Sequence, residues 1–271
     1  MTSPTTSPMT GPMTSRDTRG GTLDVAGTPR IPLARLVKVE LRKMVDTRAG
    51  LWLIIAIGAI TLLAVVLFGL NAEPEDRTFN SFMGFTGTPQ GILLPVLGIL
   101  LVTSEWSQRT AMVTFTLTPH RTRVLAAKFL AALALGLAAI VLAVVVGALA
   151  TLVFGPADGF SGVGLDDFAK FGLLQTSGVL QGLAFGLLFL SSATAIVAYF
   201  VVPIAFSVVA NVWGGLADKA AWVDLGTAQG PLFAGDNLSG QQWSQLAVAT
   251  VIWVVLPFVV GLVRVLRAEV K

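Results

Sequence analysis

The sequence predicts an all-α integral membrane protein with six transmembrane helices and an N-terminal amphipathic interfacial helix. Three observations predict it. Apolar residues make up 54% of the chain and charged residues only 12%, with a mean hydropathy of +0.80, far from the balance of soluble domains. Several apolar runs reach the roughly 20 residues that cross about 30 Å of hydrocarbon. The charges also divide between the two sides of a membrane in the way a six-span path requires.

Residues 1–28 are mainly Thr, Ser, Pro and Gly. Such a stretch buries too little apolar surface to offset its ordering entropy, so it reads as a disordered cytoplasmic tail. Residues 29–48 differ. On a helical wheel Leu33, Leu36, Val37, Leu41 and Met44 share one arc, while Arg35, Lys38 and Arg42 share the other. This predicts a basic amphipathic helix lying on the inner membrane surface. Glu40 falls inside the apolar arc, where two partners suit it: Lys43, three residues on, or a basic group of the 104–124 segment.

A six-helix transmembrane domain follows over 49–271, with spans near 51–70, 80–103, 124–154, 171–190, 193–214 and 245–263. Leu51 to Leu70 carries no charge, begins far into the chain and precedes no small-residue cleavage site, so it reads as a span and not as a cleaved signal. Only Ser191 and Ser192 separate the fourth span from the fifth. Pro95, Pro203 and Pro257 lie inside spans, where neighbouring helices can satisfy the freed carbonyls. Trp52, Trp106, Trp213 and Trp243 fall near span ends, as interfacial anchors do. Gly178, Gly182 and Gly186 recur every four residues and give the fourth span a smooth strip. Close packing within one subunit is the plain use of that strip; a substrate path or a dimer seam is the other. Gln175, Gln181 and Asn211 are polar at membrane depth and should bond to neighbouring helices. Gly214 to Trp243 is too long for a simple turn and is amphipathic and Gly-rich.

With the N-terminus inside, only Arg77, Lys170 and Lys219 of the 18 basic residues fall on outer segments. Most acids lie there instead, among them Glu73, Glu75, Asp76, Asp158, Asp166 and Asp167. The positive-inside rule therefore predicts a multi-pass protein of the plasma (inner) membrane with both termini cytoplasmic. The pI near 9.6 then reflects topology and anionic lipid headgroups and requires no nucleic acid.

Soluble-enzyme chemistry finds no support. There is no cysteine and one histidine, His120, which removes thiolate nucleophiles, Cys-ligated metals and His-rich metal sites. No G-x-x-x-x-G-K-[ST] loop is present, so the chain has no such means of hydrolysing ATP. The acids cluster on outer loops, and none is evident at membrane depth, where ion-coupled carriers keep their titratable group. Energy for any transport is thus expected from another polypeptide.

Residues 102–128 read VTSEWSQRTAMVTFTLTPHRTRVLAAK: an acid leaving one helix, a Thr-rich turn, a Thr-Pro break, a basic cluster and a new helix. Pro119 cannot continue a helix and pushes Thr118 out of the α region, making a corner. Arg121 and Arg123 beyond it suit carboxylates of a partner or lipid phosphates. For Arg123 and Lys128 a role in topology alone serves as well. In Glu105, Thr110, Thr118, Pro119, Arg121 and Lys128 the segment resembles the inner loop between spans two and three of ABC-2 type transporter permeases. Arg109 departs from the family's usual glycine and adds a partner contact or alters the turn. The resemblance covers about residues 30–271 and implies the six-helix ABC-2 exporter fold. It further implies a non-catalytic permease subunit, coupled through Glu105, Arg109, Thr110, Pro119 and Arg121 to a separate nucleotide-binding ATPase subunit that holds ATP and Mg. A second permease subunit, identical or related, membrane lipids and an unidentified substrate complete the expected partners. Two alternatives remain open: a non-transporting membrane anchor or sensor subunit, and an ATP-independent carrier.

Overall fold

The computed structural model describes residues 31–108, 120–212, 219–235 and 237–267, apart from the Asn211 side chain. Contacts divide the chain into Met1–Ile31 and Pro32–Lys271, and every helix described lies in the second unit. No strand occurs among the described residues, and six helices are long and apolar enough to cross a membrane. The chain is therefore built as an all-α, multi-pass membrane protein.

Helix α1 (Leu33–Asp46) starts on Pro32, whose carbonyl accepts from Arg35 and Leu36. Leu33, Leu36, Val37, Glu40, Leu41 and Met44 turn inward at helical spacing, and Arg35, Lys38 and Arg42 turn out. Thr47 ends α1 and caps α2 (Arg48–Asn71), its Oγ1 accepting from the Gly50 N–H at 3.2 Å. The corner is so tight that a Cβ on Gly50 would lie 2.1 Å from the Met44 carbonyl oxygen, so no larger residue fits. A single stripe of α2, Ile57, Thr61, Val65 and Gly69, is buried, and most of its other apolar side chains face outward. That is the distribution expected of a helix bathed in lipid.

A short 3₁₀ turn, Pro74–Asp76, leads to α3 (Phe79–Ser107), capped by Thr78 Oγ1 on the Ser81 N–H. Helix α4 (Arg121–Phe154) follows, then α5 (Leu165–Phe189) and α6 (Ser192–Val212). Helices α3 and α5 form the buried centre, whereas α2 and α6 are peripheral. The centre is made of backbone against backbone. A Cβ on Gly182 would stand 2.0 Å from the Pro95 carbonyl oxygen, and one on Gly98 would stand 2.4 Å from that of Val179. Gly186 faces Ile99, and Gly178 faces the Pro95 ring at an ordinary 3.5 Å. The glycine strip of α5 is thus spent on packing against α3 within one chain.

The break between α5 and α6 falls at Leu190 and Ser191. Leu190 takes a left-handed conformation (φ 56°), and its N–H closes the last turn on Gly186. Thr103 then bonds Ser192 across the helices, Oγ to Oγ, at 2.7 Å.

Two short helices, α7 (Ala220–Val223) and α8 (Leu225–Phe233), precede α9 (Gly240–Thr250). Leu225, Ala228 and Leu232 pack with Phe185, Leu246, Trp253 and Val254, and the Trp253 indole donates to the Val223 carbonyl at 2.7 Å. Helix α9 continues through a wide π-turn, Val251–Val255, into α10 (Leu256–Arg267). Pro257 lies two residues past that turn and lacks the N–H that a regular helix would use there.

Asp224 holds the start of α8: its Oδ2 accepts from the Thr227 N–H at 3.1 Å and from the Thr227 hydroxyl at 2.6 Å, and the residue is 6% exposed. Asp224→Ala is expected to lower stability by about 1–2 kcal/mol, the upper range for a lost N-cap, with Thr227→Val recovering little. Thermal unfolding in detergent measures it.

Candidate functional site

Four charged side chains from three helices meet at the end of the bundle where α1 lies. Helix α1 supplies Glu40 and Lys43, the last turn of α3 supplies Glu105, and α4 supplies Lys128 near its start. Each lysine reaches both carboxylates. Lys43 Nζ stands 2.7 Å from Glu40 Oε1 and 2.5 Å from Glu105 Oε1. Lys128 Nζ stands 2.6 Å from Glu40 Oε2 and 3.3 Å from Glu105 Oε2. Lys128 also donates to the Leu101 carbonyl at 2.9 Å, so all three of its protons are used.

Glu40, Glu105 and Lys128 are each 4% exposed, and the Lys43 side chain is about one-third exposed. Burial works against the Lys43 ammonium, but the Glu40 and Glu105 carboxylates outweigh it and hold its pKa above the ordinary lysine value. Lys43 therefore stays charged at neutral pH, and its contribution to folding is lost only as the pH rises through that raised value. A neutral ring of this kind adds little net stability, since desolvation offsets the Coulomb attraction. Its effect is mechanical. Helices α1, α3 and α4 cannot shift independently without leaving a buried charge unpaired, and an unpaired buried charge is costly.

The same end gathers α10. Arg121 Nη1 donates to the Val265 carbonyl at 3.1 Å and to that of Leu266 at 3.4 Å, occupying acceptors that the last helical turn leaves free. Arg264 donates to the Leu188 carbonyl at the end of α5.

The structure brings Glu105 and Glu40 together through the two lysines. It places Arg121, the first residue of α4, apart from them, bonded to the last turn of α10. Arg109, Thr110 and Pro119 lie outside the described residues. Arg35, Lys38 and Arg42 stay on the outward face of α1, where Arg42 meets Asp46 at 3.2 Å in an exposed pair worth little. Glu40 takes its expected i,i+3 partner, Lys43, and a second cation from beyond the 104–124 segment, Lys128. Span two does not end at residue 103: α3 runs on to Ser107, which carries Glu105 into the helix and buries it. Glu105 thus lies inside the helix of span two but in its last turn, past the expected end of the span, as Asp166 and Asp167 lie in the first turn of α5. The signal available in the sequence was a lone lysine one to two turns into an apolar helix, together with a lone acid in an apolar arc. Each needed a partner.

No known protein family and no curated protein matches the chain.

Proposed function

We propose that this chain is the membrane permease subunit of an ATP-driven transporter of the ABC-2 type, exporting its substrate across the plasma membrane with both termini cytoplasmic. One observation carries the reading beyond the motif of residues 105–128. The ion-pair ring sits at the base of the segment that joins α3 to α4, and it ties both helices to α1. A partner pressing on that segment displaces Glu105 and the start of α4 together, and Lys43 and Lys128 pass the movement to α1. Glu105 then acts from inside, as a positioning residue, while Arg109 and its neighbours meet the partner.

ATP and Mg belong to a separate nucleotide-binding subunit, and a second permease subunit completes the pathway. ATP binding biases the populations of inward- and outward-open states through its different affinity for each.

Affinity purification of the full chain from its native membranes in mild detergent is expected to recover an ATPase with a Walker-type phosphate loop. Arg109→Glu, outside the ring, is expected to reduce that recovery at least several-fold with unfolding temperature unchanged. Recovery of no ATPase in any of several detergents overturns the proposal. Ion-driven transport by the chain alone in liposomes would establish a carrier instead.

A further inference from the structure

At the end of the bundle away from the ring, two cavities share a wall. The first, about 730 Å³, lies among the first turns of α3 and α5 and the end of α8. The second, about 660 Å³, lies between α2 and α3 and is lined almost wholly by apolar side chains such as Ile60, Leu67 and Ile92. Phe68, Phe85 and Thr88 border both. Phe68 and Phe85 stack with centroids 3.9 Å apart, so a pair of aromatic rings divides a polar chamber from an oily one.

The polar chamber has unspent acceptors and no unspent cation. Lys170 lines it, but its ammonium already donates to Asp166 Oδ2 at 3.1 Å, the Gly235 carbonyl at 2.9 Å and Asn237 Oδ1 at 3.3 Å. Asp167 accepts from the Gly164 N–H at 2.9 Å and from Asn80 Nδ2 at 3.3 Å, yet pairs with no cation among the described residues. Asp76 on the rim also lacks an ion partner there. Gln175, 4% exposed, lines the chamber and donates to Gln90, and the buried Oδ1 of Asn80, also on the chamber wall, has no hydrogen-bond partner among the described residues.

From this geometry we infer that the paired cavities bind an amphiphile with a cationic headgroup. The head lies in the acidic chamber beside Phe68 and Phe85, whose faces attract cations, and the hydrocarbon tail lies in the chamber between α2 and α3. Each chamber has the volume of a small-molecule site. As a substrate site this rests on the transporter reading; as a binding site it does not.

The test uses two dansyl-labelled undecyl probes, one ending in trimethylammonium and one in carboxylate, with the full chain in nanodiscs of zwitterionic lipid. The trimethylammonium probe is expected to bind saturably, read by anisotropy, and the carboxylate probe to bind at least about tenfold more weakly, the scale of charge contacts in a part-buried site. Asp76→Asn with Asp167→Asn should weaken the cationic probe about tenfold. Asp76→Asn alone, at an exposed position, should weaken it several-fold. A Cβ at Gly84, on the chamber wall, meets open space. Gly84→Trp should therefore plug the site without disturbing the fold and abolish saturable binding. Equal binding of both probes, no saturable binding of either, or unchanged binding by Gly84→Trp overturns the inference. No ATPase enters this measurement, so its failure and that of the transporter reading are told apart.

Discussion

Lys128→Met is expected to destabilise the protein by about 3–5 kcal/mol, the cost of leaving a buried ionic network short of one charge. The substitution keeps the length and apolar stem of the side chain, so the loss is electrostatic. It leaves Glu40 and Glu105 to share Lys43, with net negative charge in a site where each acid is 4% exposed. Adding Glu40→Gln restores neutrality, because Lys43 and Glu105 remain 2.5 Å apart as a pair. The double variant should recover about half of the loss or more, a coupling of the size seen between residues of one network. Thermal unfolding of the wild type, the two single variants and the double variant measures this. If the single losses simply add, the ring is not acting as a unit.

Gly182→Ala is expected to be as severe, at about 3 kcal/mol or more, although it adds one methyl group. That methyl would lie 2.0 Å from a backbone oxygen of Pro95, which cannot rotate away, so α3 and α5 must separate. Gly178→Ala, one turn earlier, meets only the edge of the Pro95 ring at 3.5 Å. It should be neutral, or stabilising by up to about 1 kcal/mol through helix propensity. Equal behaviour of the two variants, read as unfolding temperature and as the fraction of monodisperse protein in detergent, would refute the close contact.

Those two sites show how far the sequence could be read. Apolar runs and the amphipathic wheel locate α1 and the six spans to within a few residues at most ends, because length and period are local properties. The larger misses are at the start of α5, which begins at Leu165 and carries Asp166 and Asp167 in its first turn, at the end of α3, and at both ends of the last span, which runs from Gly240 to Arg267. Charged residues made α3, α5 and the end of α10 look finished, and the polar Gln241, Gln242 and Ser244 did so at the start of α9. Pairing of charges is not local. Glu40 and Lys128 are 88 positions apart, and nothing in either neighbourhood names the other. The glycine spacing of α5 pointed to a smooth face, but which helix would meet it depended on Pro95 of α3. The two cavities gave no sequence signal, since their walls come from α2, α3, α5 and α8 together.

Helix α4 has 34 residues, so at about 1.5 Å per residue it is about 51 Å long, well beyond the roughly 30 Å of a hydrocarbon core. Its lower end carries Lys128, and its upper end carries Phe154. Phe154 borders Phe82, which stands edge-on to Phe68 with centroids 5.3 Å apart. One helix thus reaches from the ion-pair ring to the aromatic cluster beside the cavities, where Phe68 and its stacked partner Phe85 form the partition between the two chambers.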